Sequence, residues 1–232
     1  MAAMGMSNES RAMAHNGAGE QGYRWALLCW LMLLLAAAPA VVAEGRQGAM
    51  LALKTAYHTT FNVYVAGPED APYGALLVPD RWGLNKKVLD WADRLASLGY
   101  RVVAVDYFDG RQVVNETMAR EVIKSIDPVW IEADLDSALA YLHLRPRRIV
   151  AVTWGEGGEY AARLARRVPG DISALVFYHE RRGEGLGAVA ELAVPVLEVV
   201  TEKSLLHVGG QPGRAAEDTW RATVDFLKSN FQ

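Results

Sequence analysis

The sequence is poor in cysteine: Cys29 is the only one among 232 residues. A single thiol excludes an internal disulfide framework, a cysteine zinc cluster and a CxxC redox pair. A surplus of positive charge is also missing, with 24 Lys+Arg against 27 Asp+Glu, a net charge of −3 and a pI near 6.0. Without a basic excess, no binding to nucleic acid is expected. There is no internal repeat, and no low-complexity tract outside the N-terminal segment. Charged residues at 22% and apolar residues at 51% exclude a disordered chain and fit one globular domain, alone or with a tail.

What is present divides in two. Residues 1–24 are small and polar, and a 19-residue apolar run, Trp25–Ala43, follows them and ends at Glu44-Gly45-Arg46. Arg24 in front, the Leu-rich centre and the small residues Val41-Val42-Ala43 (or Ala38-Pro39-Ala40) have the layout of an export signal with its cleavage site. On that reading residues 1–43 are a signal peptide and residues 44–232 a periplasmic or secreted domain. The same run just reaches the span of a bilayer, so the alternative is an uncleaved anchor over residues 25–43, and only then is the membrane a partner. Pro39 and the Ala-rich end favour cleavage. Cleavage after Ala43 leaves 189 residues without cysteine and with the charge unchanged at −3, a chain large enough to rest on its core alone.

Beyond a short polar lead-in, His58–Val65 alternates like a half-buried strand, and Gly74–Pro79 is a continuous apolar run suited to a strand covered on both faces. Asn85 is placed to cap a helix to Leu98, with Gly99 as its stop, and Tyr100–Val105 is the next buried strand. A weaker helix is predicted near Glu116–Ile126. A stronger one follows Asp127-Pro128, a cap and then a first-turn proline. Arg148–Thr153 reads as a strand, Gly155–Gly158 as a tight turn and Glu159–Arg167 as a helix. Ile172–Tyr178 and Val194–Thr201 are two further strands, and Arg181–Gly187 is a loop. The final helix, Ala215–Phe231, turns Trp220, Val224, Leu227 and Phe231 inward. Strands alternating with helices predict an α/β fold: a mostly parallel sheet flanked by helices. Asn115-Glu-Thr117 matches a glycosylation sequon, a tripeptide common by chance.

Ligands of such sheets bind at the carboxyl ends of the strands. The positions there are Asp80–Gly83, Asp106–Arg111, Trp154–Gly158, Tyr178-His179 and Thr201–His207. Strand, Thr153-Trp-Gly-Glu-Gly-Gly158 and helix is the context of a nucleophile elbow, a strained turn flanked by glycines.

In order and spacing these segments resemble the dienelactone hydrolase family of the α/β-hydrolase fold. The likeness spans about Phe61 to Tyr178 plus the final helix. Gly74–Asn85 looks like the family's strand, acidic residue and Gly-Leu-Asn segment, and Ala92–Tyr100 like its first helix and turn. Val105-Asp106-Tyr107 looks like a strand end, and Asp134–Leu142 like the helix entering the elbow strand. The resemblance implies a reduced α/β-hydrolase fold. In the family a cysteine in Gly-x-Cys-x-Gly-Gly attacks an ester or lactone carbonyl, assisted by an Asp and a His. Laid on this chain, the nucleophile position is Gly155, Thr153 replaces the preceding glycine, and Gly157 and Gly158 match. Glycine has no side chain to acylate.

The family's acid belongs after Val194–Thr201, where Glu202, Lys203 and Ser204 stand. Its histidine belongs later, where only His207 remains, either a displaced remnant or an exposed loop histidine. The backbone N–H groups of Arg81 and Glu156 fall at the oxyanion-hole positions. Asp80 matches the family's acidic residue, and Arg81 is a partner for a ligand carboxylate or, equally, for Asp80 in a solvated loop. Glu156 would repel an anion unless Arg81 or a cation pairs with it. Trp82, Trp91, Trp130 and Trp154 read as core or rim packing, and Tyr178-His179 either lines the same cleft or holds a locally satisfied histidine. No cofactor or metal is expected.

Two functions follow from the resemblance. One is a small carbonyl or carboxylate ligand, or a protein partner, bound without covalent catalysis at Asp80, Arg81, Gly155 and Glu156. The other is ester or lactone hydrolysis by water, with Glu156, Asp80 or His207 as base.

Overall fold

The computed structural model describes residues 45–145, 147–180, 192–201 and 214–231. The apolar run Trp25–Ala43 read as an export signal, residues 181–187 read as a loop, Glu202 and His207 lie outside the described residues. In chain order the described elements are β1 (Gly48–Lys54), β2 (Thr60–Ala66), β3 (Tyr73–Val78), α1 (Lys86–Ser97), β4 (Tyr100–Asp106) and α2 (Glu116–Ser125). They continue with α3 (Pro128–Leu142), β5 (Arg148–Trp154), α4 (Gly157–Arg167), β6 (Ala174–His179), β7 (Val196–Val200) and α5 (Arg214–Phe231).

The strands form one sheet in the order β1-β2-β4-β3-β5-β6-β7. β4, β3, β5, β6 and β7 are parallel neighbours, and β2 is antiparallel to both β1 and β4. This is the mostly parallel, helix-flanked sheet expected. The polar lead-in needs correction, because it contains β1, which pairs with β2 over its whole length, from Gly48↔Ala66 to Lys54↔Thr60. Its sequence, Gly-Ala-Met-Leu-Ala-Leu-Lys, shows no two-residue period because most of the strand is exposed on both faces at the sheet edge.

Local signals place the helix ends. The Asn85 side chain accepts the N–H groups of Lys87 and Val88 at the start of α1, and the N–H of Gly99, at φ +87°, closes on Ala96 O. Asn115, the sequon asparagine, caps α2 by accepting the Met118 N–H at 2.9 Å. Asp127 does the same for Val129 ahead of Pro128.

Alternation along β6 sends neighbouring side chains to opposite faces. Tyr178 meets Trp91 of α1 at 5.3 Å and Trp154 of β5 at 5.5 Å, and Trp91 meets Trp220 of α5 at 4.9 Å. Phe177 lies on the other face, against Gly158 of α4. Trp82, Trp91 and Trp154 are buried, while Trp130 stays exposed at the rim. In α5 the inward stripe is Thr219, Thr223, Leu227 and Phe231, with Trp220 and Val224 half-buried beside it. The offset from the expected stripe has a polar cause: Thr223 donates to Thr219 O, so its oxygen is open to accept from the Tyr178 hydroxyl. Among the described residues no helix is long and apolar enough to cross a membrane.

Candidate active site

At the carboxyl end of β5 the chain reverses through Gly155, whose φ of +47° lies in the left-handed region that a glycine enters freely. The Gly155 N–H donates to Tyr178 O at 2.8 Å, and the Gly158 N–H returns to Gly155 O at 3.0 Å. The next two glycines answer to space rather than to dihedral angle. A methyl group on Gly157 would lie 2.4 Å from the carbonyl oxygens of Val78 and Pro79, and one on Gly158 would lie 2.0 Å from the Phe177 ring. Helix α4 can therefore press its first turn onto the ends of β3 and β6 only with glycine at both positions. This is the sharp strand-to-helix turn expected from Thr153–Gly158.

Asp80 follows β3 and faces this turn. It is 2% exposed, and its Oδ1 accepts the Trp82 N–H at 2.9 Å. A methyl group on Gly155 would stand 3.1 Å from Asp80 Cβ and 3.7 Å from its Oδ2, so Asp80 borders the space above the turn. The Arg81 guanidinium gathers three carboxylates: Nε donates to Glu116 at 2.9 Å, Nη1 to Glu156 at 2.8 Å, and Nη2 lies 3.5 Å from Glu180. Burial opposes its charge, but the carboxylates of Glu156 and Glu116 outweigh this and raise its pKa above the ordinary value. Asp80 thus lies beside Gly155, and Arg81 pairs with Glu156 next to it. Among the described residues the backbone N–H groups of Arg81 and Glu156 donate to no other group.

Two features at the same end of the sheet add partners that the sequence did not supply. Asp106 at the end of β4, Asp109 just after it and Asp134 on α3 are near enough for their charges to act on one another. Asp106 accepts the N–H groups of Phe108 and Gly110, whereas Asp134 on α3 is raised to about 7, chiefly by burial and then by the charges of Asp109 and Asp106. An aspartate beside Ile131 and Leu135 on a helix's buried stripe is the sequence signal that could have found it. The second is His179, the last residue of β6 and 3% exposed. Its Nε2 bonds Glu198 on β7, its ring stacks on Phe177 at 4.9 Å, and its Nδ1 is buried with no hydrogen-bond partner. Only half of the expected local satisfaction is present. Glu198, a carboxylate inside Val-Leu-Glu-Val-Val, was the available signal. Among the described residues no three His, Cys, Asp or Glu side chains are arranged to hold a metal ion. A groove of about 530 Å³ between Leu51, Val65, Gly67, Arg101 and Tyr141 lies at the other end of the strands, away from the turn.

A mostly parallel sheet with a left-handed glycine turn between β5 and α4 defines an α/β-hydrolase-fold protein. Comparison with known families is narrower: the dienelactone hydrolase family matches residues 61–206, and the chain belongs to that family. The solved structure m3DLH aligns with a TM-score of 0.61 and 18% identity, over 80% of this chain and 100% of its own. A dienelactone hydrolase-like promiscuous phosphotriesterase from metagenomic libraries gives 0.58 and 18%, over 80% and 100%. The dienelactone hydrolase from Anabaena variabilis gives 0.57 and 13%, over 80% and 99%. At these identities the likeness is one of fold. No curated protein matches the sequence.

Proposed function

We propose that this chain binds a small neutral carbonyl compound at the β5–α4 turn and forms no acyl-enzyme. The observation that carries this reading is Gly155, which holds the left-handed turn where the family places its nucleophile and offers no atom to acylate. The N–H groups of Arg81 and Glu156 are suited to donate to the ligand's carbonyl oxygen, and the first turn of α4 adds a favourable dipole. Of the two ligand types the sequence suggests, a neutral carbonyl fits better than a carboxylate. Arg81 already faces Glu116, Glu156 and Glu180, so an anion would meet a local excess of negative charge. The apolar run over residues 25–43 supports export of the domain.

The test is titration of the labelled protein with a small lactone and with its unreactive lactam analogue. The amide signals of Arg81 and Glu156 are expected to shift, with no added mass on the intact protein. A covalent acyl adduct, or lactam-induced shifts confined to other amides, would refute the reading.

A further inference from the structure

The two ends of the sheet differ in charge. At the carboxyl end, Glu116, Glu156 and Glu180 share Arg81, and Asp109 and Asp134 lie close to Asp106. At the amino end, where β4 and β5 begin, stand Arg101, Arg145, Arg147 and Arg148. Of these four, Arg145 pairs with a carboxylate, Glu69, at 3.0 Å, and both side chains are exposed. The other three are held by neutral oxygens. Arg101 donates to Gly67 O at 2.6 Å and to the Tyr141 hydroxyl at 2.9 Å. Arg147 donates to the carbonyls of Leu142 and Glu69, and Arg148 to Asn230 O at 2.6 Å. Such bonds fix the guanidinium groups in place and leave their charges standing. Burial, and then the charges of Arg101 and Arg145, lower the pKa of Arg147, so the three are close enough to repel one another.

The same end exposes apolar side chains. Leu144, between His143 and Arg145 in the connection from α3 to β5, is 76% exposed, and Leu98, just ahead of β4, is 40% exposed. The groove of about 530 Å³ beside β1 sets Leu51 and Val65 next to Arg101, an apolar wall beside a cation. β1 also begins at this end, since Gly48 pairs with Ala66, and Ala66 with Val102 near the start of β4. The apolar run Trp25–Ala43 ends five residues before Gly48, which is at most about 17 Å of extended chain. Both readings of that run place it in a bilayer. Nucleic acid would match the arginines but not Leu144. A bilayer with anionic headgroups matches both, with phosphates for the guanidinium groups and the acyl boundary for the leucines.

We propose that the amino end of the sheet is a docking surface for a bilayer with anionic headgroups, with Leu144 entering the headgroup boundary and Arg145, Arg147 and Arg148 facing phosphates. Every residue of this surface follows Ala43 in the chain, so it is kept whether or not the apolar run is removed. The membrane is then a partner of the domain on either reading of the run. Docking in this sense turns the β5–α4 turn, at the opposite end of the sheet, toward water. The separation of charge along the strands orients the domain on approach, because the acidic end is repelled by headgroups of its own sign. Arginine suits the position, since its carbon stem rests on apolar surface while the guanidinium stays at the interface. Arg148 already lies in this way over the Phe231 ring, at 4.9 Å from its centre.

The experiment uses the full chain with Cys29→Ser, reconstituted in vesicles of phosphatidylcholine alone or mixed with phosphatidylglycerol. An environment-sensitive fluorophore is attached at Leu144→Cys or, at the carboxyl end of the sheet, at Tyr57→Cys. In the phosphatidylglycerol vesicles the probe at 144 is expected to shift to the blue and to be quenched by spin-labelled lipid, while the probe at 57 stays in water. Raising the salt from about 0.05 to about 0.5 M should release the probe at 144, because the headgroup attraction is screened. Arg145→Gln combined with Arg148→Gln should lower the ratio of docked to undocked probe by about 10–30-fold. Should that pair fail to fold, Arg145→Gln alone, at an exposed position, should lower it by about fivefold. A probe at 144 that stays in water, that responds equally to phosphatidylcholine alone, or that is matched by the probe at 57 overturns the proposal. So does an equal response to duplex DNA in detergent solution, which would make the patch a site for polyanions in general.

Discussion

Asp134→Asn is expected to stabilise the protein above neutral pH and to have little effect near pH 4. Asp134 sits on α3 among buried apolar residues and close to Asp106 and Asp109, with no cation among the causes that set its pKa. Burial, followed by those two charges, raises its carboxyl from 3.8 to about 7. Between these values the unfolded chain has released the proton while the folded chain retains it, so the unfolded state binds fewer protons. Stability therefore falls as pH rises from about 4 to about 7 and is level above that. The displacement corresponds to at most about 4 kcal/mol. Partial exposure and solvent screening reduce this to about 1–2 kcal/mol, or roughly 2–8 °C in Tm for a domain of this size. Burial also raises Asp106, so part of the slope belongs to that group, and the variant removes the share due to Asp134. Urea unfolding of wild type and variant at pH 4.5, 6 and 8 measures it. A difference independent of pH, or a variant less stable at pH 8, would refute the reasoning.

The remaining expectations concern packing, charge and export. Gly158→Ala drives a methyl group into the Phe177 ring and should lower stability by about 1–3 kcal/mol in denaturant unfolding. Gly155→Ala meets a different penalty, the left-handed backbone at φ +47°, and should lose about 1–2 kcal/mol. Arg81→Met leaves Glu116, Glu156 and Glu180 facing one another and should cost about 1–3 kcal/mol at pH 7. Burial opposes ionisation of Glu116, but Arg120 and Arg81 outweigh it and hold its pKa below the ordinary value, so the part of that loss due to Glu116 should shrink as pH falls below the ordinary carboxylate range. N-terminal sequencing of the mature protein is expected to begin near Glu44; an intact chain in the cytosol would contradict export.

The architecture was largely readable because its signals are local. Asn85, Gly99 and Asp127-Pro128 mark helix ends through contacts within a few residues, and buried parallel strands show as short apolar runs. Strand β1 was not readable, since an exposed edge strand carries no burial period. The stripe on α5 was misplaced by one residue because Thr223 is buried for a hydroxyl partner, Tyr178, 45 positions away. The same limit governed the site. Asp80, Arg81, Gly155 and Glu156 followed from a motif with fixed spacing, whereas the His179–Glu198 pair depends on how β6 aligns with β7. Register between strands is a property of the folded sheet, and nothing in Val196–Val200 announces which residue of β6 it will face.

The glycine pair after the turn has an evolutionary consequence. Val78, Pro79 and Phe177 exclude any side chain at positions 157 and 158, whatever residue stands at 155. Selection for folding alone is then enough to preserve both glycines over long descent. Position 155 is under a looser rule, a backbone angle, and can drift among residues that tolerate it. Packing alone thus holds positions 157 and 158 to glycine, while position 155 is bound only by its backbone angle.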